Sequence, residues 1–160
     1  MMSDGLPTGT VTFLFTDIEG STKRWEARPD AMRAALARHD AILREAIEAQ
    51  GGHVFKTVGD AFCAAFADPT NALNAAIVAQ QGLHSADWEG NVEDRVQVRM
   101  ALHTGVVEAR GGDYFGQPLN RVARLMSAGH GGQILLSQPA YELVRDNLPA
   151  GVQLRDMGEH

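Results

Sequence analysis

A mixed α+β fold built on a β-α-β-β-α-β core is predicted by three observations. Two apolar runs, VTFLF at 11–15 and AFCAAF at 61–66, have the composition of buried strands. Two long stretches carry helical patterns: Met32, Leu36, His39, Leu43 and Ile47 recur at spacings of three and four, and Leu73, Ala76, Ile77, Gln80 and Leu83 signal the second. Turn signals punctuate these segments at Gly51-Gly52, Gly59-Asp60 and Asp68-Pro69. The order matches the ferredoxin-like arrangement, an antiparallel sheet with helices packed on one face, to which a C-terminal strand and helix are added.

Taken in order, residues 1–9 contain Gly, Pro and Ser and read as a flexible lead-in, and residues 10–160 as one domain. After the first strand, one long amphipathic helix begins at Lys23 and stops at Gly51-Gly52. Strands follow at 53–57 and 61–66, joined as a hairpin through Val58, Gly59 and Asp60. The second helix starts after Asp68-Pro69 and fades around 87–91. RVQVRMALHT at 95–104 begins with strand-like alternation and is read as the fourth strand. Residues 105–116 read as a turn-rich segment, 118–128 as a short helix, 133–136 as a strand and 139–146 as a helix. The final DMGEH carries no stop signal and reads as a cut end.

A chain of 160 residues is long enough to bury roughly two thirds of its unfolded surface in one domain. Its formal net charge is −6, with the Lys and Arg residues scattered, so nucleic acid and anionic membrane are poor partners. An acidic chain that binds a polyphosphate needs a cation at the site. Cys63, the single cysteine, lies in an apolar strand and reads as a buried, inert thiol. With no apolar run near ~18 residues and no signal-peptide pattern, the expected compartment is the cytoplasm. The six histidines form no metal-ligand pair at helical or finger spacing, and His39 and His103 read as core residues. Ser21, Thr22 and Ser137 have no His and Asp partners in a motif, so a hydrolase triad is unsupported.

The chemistry-bearing residues concentrate around the first strand. Asp17 sits where that strand should end, followed by Ile18, Glu19, Gly20, Ser21 and Thr22 just before a helical pattern. A permissive glycine and two hydroxyls there let backbone N–H groups converge on an anion. Alone, Asp17 reads as a capping or turn carboxylate. Asp60 at the hairpin tip changes that reading, because nucleotide-linked magnesium sites take one or two carboxylates plus substrate phosphates. Asn120 and Arg124, four apart, share a helix face and suit a ribose or phosphate oxygen, with an ordinary polar face as the alternative. Arg121 points elsewhere and reads as solvated. GGDYF at 111–115 is only superficially like the GGDEF signature of diguanylate cyclases, since the Glu is Tyr and the order of motifs differs.

Together, FLFTDIEGST, KTVGDAF, RMALHTG, DYFGQPLNRVARL and GGQILLS resemble the class III nucleotidyl cyclases, in that order and over nearly the whole chain. The resemblance implies two Mg²⁺ or Mn²⁺ ions per site, held by Asp17 and Asp60 with the Ile18 carbonyl as a further ligand. It assigns base selection to Lys56 and Asp113, transition-state contacts to Asn120 and Arg124, and a phosphate contact to Arg99, with Gly20, Ser21 and Thr22 at the phosphates. Val122 departs from the family's frequent alanine, and residues 105–113 form a short arm, as in some bacterial members.

The implied reaction is attack of the ribose 3′-hydroxyl on the α-phosphorus of ATP, with pyrophosphate leaving and cyclic AMP formed. Arg124 would stabilise the transferring phosphoryl and Asn120 would orient the ribose. Asp17 and a water remain alternative proton acceptors. Adenine offers an acceptor at N1 and a donor amine, matching Lys56 and Asp113, whereas guanine reverses both. If Lys56 and Asp113 pair with each other instead, base selectivity would be weak. The family's site lies between two head-to-tail domains, and this chain holds both sets of residues, which implies a homodimer. The competing readings are a degenerate regulatory nucleotide-binding domain, a guanylyl or diguanylate cyclase, and a polymerase-palm-like transferase, which would want a basic groove.

Overall fold

The computed structural model describes residues 5–86, 88 and 95–158. Its elements are β1 (Gly9–Ile18), α1 (Ser21–Ala27), α2 (Pro29–Ala49), β2 (His53–Val58), β3 (Ala61–Phe66), α3 (Pro69–Ser85), β4 (Val98–Arg110), β5 (Asp113–Phe115), α4 (Gln117–Ser127), β6 (Ile134–Leu136) and α5 (Gln138–Val144). The strands run β2-β3-β1-β4 with every neighbouring pair antiparallel, which is the expected ferredoxin-like core. Two strands extend it along β4: β5 pairs antiparallel with its second half and β6 parallel with its first.

Strand β1 divides the interior because its side chains alternate between faces. Leu14 and Ile18 point into a core shared with Leu43 and Ile47 of α2, Leu73 and Ala76 of α3, and Val144 of α5. Val11, Phe13 and Phe15 point the other way, into a second core with Tyr114, and with Val122 and Met126 of α4. The helices of the β-α-β-β-α-β core thus share one face as expected, while α4 covers the opposite one.

Two boundaries differ from the sequence reading. The single helix expected from Lys23 is two, broken at Arg28 (φ −144°, ψ 72°). Pro29 has no N–H, and its ring drives the preceding residue out of the helical region. Arg28 therefore closes α1 and opens α2, its N–H bonding to Arg24 O and its carbonyl accepting from Met32 N.

The expected strand at 95–104 is shifted and longer, and the segment read as turn-rich is mostly strand. Gly105 does not bend the chain. A Cβ there would lie 2.6 Å from Pro118 Cγ, so this glycine serves the close approach of α4. The reversal comes at Gly111 and Gly112, whose φ of 58° and 79° suit the two-residue hairpin loop joining Arg110 to Asp113. The predicted fading of α3 around 87–91 falls, Trp88 apart, outside the described residues.

His39 and His103 are both buried, as read from the sequence. His39 Nδ1 lies 2.8 Å from Asp40 Oδ1, and His103 Nδ1 lies 2.7 Å from Ser137 Oγ. Burial lowers both pKa values; for His39 the bond to Asp40 and the charges of Asp40 and Asp60 oppose it only in part. The unfolded chain therefore takes up protons below about pH 6.5 that the folded chain refuses. Stability should be level above that pH and fall below it, by at most about 1.4 kcal/mol per pH unit for each histidine. Urea unfolding between about pH 8 and pH 5 measures this, and His39→Gln should make the fall shallower.

Candidate active site

Three groups of side chains from the sequence reading are placed by three different devices. The first sits at the end of β1. The β1–β4 register makes Asp17 and Arg99 cross-strand partners. Arg99 grips Asp17 with both arms of its fork: Nε donates to Oδ1 at 2.7 Å and Nη2 to Oδ2. Asp60 follows Gly59, whose φ of 59° turns the β2–β3 hairpin. Its Oδ1 accepts the Ile18 N–H at 3.0 Å, so Asp60 is tied to the residue immediately after Asp17. The hydrogen bonds to Asp17 raise the Arg99 pKa despite burial, and the charges of Asp17, Glu19 and Asp60 raise it further.

This donor set suits a divalent cation of the magnesium type. Among the described residues no cluster of three or more His, Cys, Asp or Glu could hold a metal. A magnesium site shared with a nucleotide needs fewer protein ligands, because phosphates and water complete the octahedron. Asp17 and Asp60 are hard oxygen donors at one sheet end, and the Arg99 guanidinium on Asp17 marks where positive charge is stabilised. Gly20 follows in the left-handed conformation (φ 69°) at the start of α1, a seven-residue helix with no side-chain cap, whose first turn holds Ser21 and Thr22.

The second group brings β2 and β5 together. Lys56 Nζ and Asp113 Oδ2 are 2.8 Å apart, the mutual pairing that the sequence left as an alternative. Asp113 Oδ1 also accepts from Tyr114 N at 2.7 Å. Burial would raise the Asp113 pKa, but the bonds from Lys56 and the Tyr114 N–H outweigh it and the net shift is downward. The Lys56 pKa is raised by the same hydrogen bond. Beneath the pair, Phe55 meets Tyr114 edge-on at 4.8 Å, and both meet Phe13, at 5.9 and 5.2 Å. Tyr114 Oη donates to Pro7 O at 2.6 Å, and Leu6 is buried in the same core. Cys63, the cross-strand partner of Lys56, has its pKa pushed up to about 11 by burial and so stays a neutral thiol.

The third group is on α4. Val122 and Met126 anchor the helix in the second core, leaving Asn120 and Arg124 exposed on its outer side. Among the described residues no hydrogen bond or ion pair joins either to Asp17, Asp60 or Arg99. Arg121 is exposed too, and its charge helps lower the His103 pKa. Sequence reasoning missed that Asp17 and Arg99 bind each other and that Tyr114 supports Asp113. The first was implicit in the β1–β4 register, the second in the Gly111-Gly112 turn.

The family model described as the adenylate and guanylate cyclase catalytic domain matches residues 5–159. An uncharacterized protein of Mycobacterium tuberculosis is 41% identical over 156 residues, covering 96% of this chain and 52% of that protein. An adenylate cyclase of Lachancea kluyveri is 37% identical over 154 residues, covering 82% of this chain and 8% of that protein. The chain thus spans about half the mycobacterial relative and a small part of the yeast one. Among solved structures, an adenylate cyclase from Trypanosoma brucei in its monomeric state superposes with a TM-score of 0.77 at 32% identity, covering 85% of this chain and 76% of that one.

The support beneath Asp113 separates stability from chemistry. Tyr114→Phe leaves the Pro7 carbonyl without its donor and should cost about 1 kcal/mol in urea unfolding. Asp113→Asn loses only a partly exposed ion pair and should cost less than about 1 kcal/mol.

Proposed function

The chain belongs to the adenylate and guanylate cyclase catalytic domain family, and we propose that it converts ATP to 3′,5′-cyclic AMP and pyrophosphate. The observation that carries this reading is the tie from Asp60 Oδ1 to the Ile18 N–H, which brings a second carboxylate beside Asp17. In this proposal Asp17, Asp60 and the Ile18 carbonyl hold Mg²⁺ or Mn²⁺, which when bound supplies Lewis-acid charge for the triphosphate. Arg99 and the amides and hydroxyls of Gly20, Ser21 and Thr22 receive phosphate oxygens. Asn120 orients the ribose so that its 3′-hydroxyl faces the α-phosphorus, and Arg124 stabilises the charge that develops as pyrophosphate leaves.

Preference for ATP rests on Lys56 and Asp113. Their mutual bond uses one of three ammonium donors and one of four carboxylate lone-pair sites, with a second taken by Tyr114 N–H. Pairing alone would leave base selection weak, but capacity remains for Lys56 to donate to adenine N1 and for Asp113 to accept from the adenine amine. The adenylate cyclases of Lachancea kluyveri and Trypanosoma brucei among the relatives support the same substrate.

The outward-facing exposure of Asn120 and Arg124 on α4 supports a site shared between two copies, each chain completing the other's. Val58, Val106 and Phe115, apolar and exposed on the two hairpins, offer surface for such pairing. No described helix is long and apolar enough to cross a membrane, and we place the reaction in the cytoplasm, where ATP is available.

Purified protein incubated with ATP or GTP and Mg²⁺ or Mn²⁺ should yield cyclic AMP, with ATP preferred roughly tenfold or more. Activity should rise more steeply than linearly with protein concentration. Asp17→Ala and Asn120→Ala should each be inactive alone and regain activity when mixed, through one intact shared site. A mixture as inactive as its parents refutes the shared site.

A further inference from the structure

Arg99 binds the carboxylate that the proposed reaction requires for metal. Both oxygens of Asp17 are engaged, the pair is partly shielded (18% and 24% side-chain exposure), and the antiparallel register holds the two residues opposite each other. Charge-assisted bidentate contacts are among the stronger protein hydrogen bonds, and a guanidinium stays protonated at any physiological pH. A divalent cation approaching Asp17 finds one lone-pair site on each oxygen already taken and meets a fixed positive charge. Glu19 and Asp60 also bear on this guanidinium, so the acidic cluster already has a resident cation.

We propose that Arg99 is a gate: it withholds Asp17 from divalent metal until a triphosphate draws the guanidinium away, making metal loading conditional on nucleotide. The inference rests on the reading of Asp17 as a metal ligand. A guanidinium fork fits phosphate oxygens as well as carboxylate oxygens, so a polyanion at this sheet end competes for Arg99 as metal competes for Asp17. Release and capture reinforce each other, which is a coupling free energy between two ligands. Without nucleotide Arg99 acts through Asp17, and with nucleotide it becomes the phosphate contact proposed above.

The test reads metal binding directly. Mn²⁺ affinity of the intact chain without nucleotide is measured by electron paramagnetic resonance of free Mn²⁺, for wild type, Arg99→Gln, Arg99→Lys and each combined with Asp17→Asn. The gate requires Arg99→Gln to bind Mn²⁺ about tenfold more tightly than wild type, within the 5- to 150-fold span usual for site coupling. Arg99→Lys, which keeps the charge without the fork, should fall between them, and Asp17→Asn should abolish the gain. Binding of 3′-deoxy-ATP, which lacks the attacking hydroxyl, should be enhanced by Mn²⁺ less in Arg99→Gln than in wild type. Chelation in solution is common to both proteins and cancels in that ratio. If neither Arg99 variant binds Mn²⁺ more tightly while Asp17→Asn weakens binding, the gate is wrong and the metal reading stands. If Asp17→Asn changes binding in no background, the metal reading fails and the gate with it.

Discussion

The antiparallel pairing of β1 with β4 is the constraint on which the rest depends. Ten consecutive pairs, from Gly9↔Val107 to Ile18↔Val98, fix which side chains of each strand share a face. A slip of one residue would exchange the two faces of β1, sending Leu14 and Ile18 out of one core and Phe13 and Phe15 out of the other. Both cores therefore enforce the register, and Asp17 meets Arg99 as a consequence. The acidic end of the sheet inherits its geometry from hydrophobic burial some distance away.

The two faces do different work. The face under α2, α3 and α5 is almost wholly apolar, and no side chain assigned to chemistry lies on it; Ile18, which buries its side chain there, is assigned only through its backbone carbonyl. The other face supports Lys56 and Asp113 over Phe13, Phe55 and Tyr114 and displays Asn120 and Arg124 from α4. Edge-on aromatic contacts are stiff and directional, which suits a platform for two charged side chains carried on separate strands. The β4–β5 hairpin folds back over this face, so residues from strands at opposite ends of the sheet path meet on one platform.

Much of this was legible in the sequence because buried strands are apolar and amphipathic helices keep their spacing. Residues 61–66 matched β3, the Asp68-Pro69 signal matched the start of α3, and the carboxylates at 17 and 60 stood at the ends of visible strands. What escaped depended on partners far along the chain. Arg99 and Asp17 are 82 residues apart, and no local pattern announces their bond. The apolar stripe from Met32 to Ile47 begins only after Arg28 and so carries no sign of the break that Pro29 imposes. Gly105 looked like a bend because glycine usually marks one, whereas here it admits a neighbour. The spacing on α4 put Asn120 and Arg124 on one side of the helix but did not tell which face of the sheet would receive it.

That last glycine has a mechanical consequence. With no side chain between β4 and Pro118, the first turn of α4 rests directly on the strand, and Asn120 begins only two residues beyond the point of contact. One added methyl would act as a shim, tilting the helix outward and carrying the carboxamide and guanidinium with it. The smallest residue in the strand thereby sets how far the outermost polar groups of the domain reach toward a neighbouring molecule.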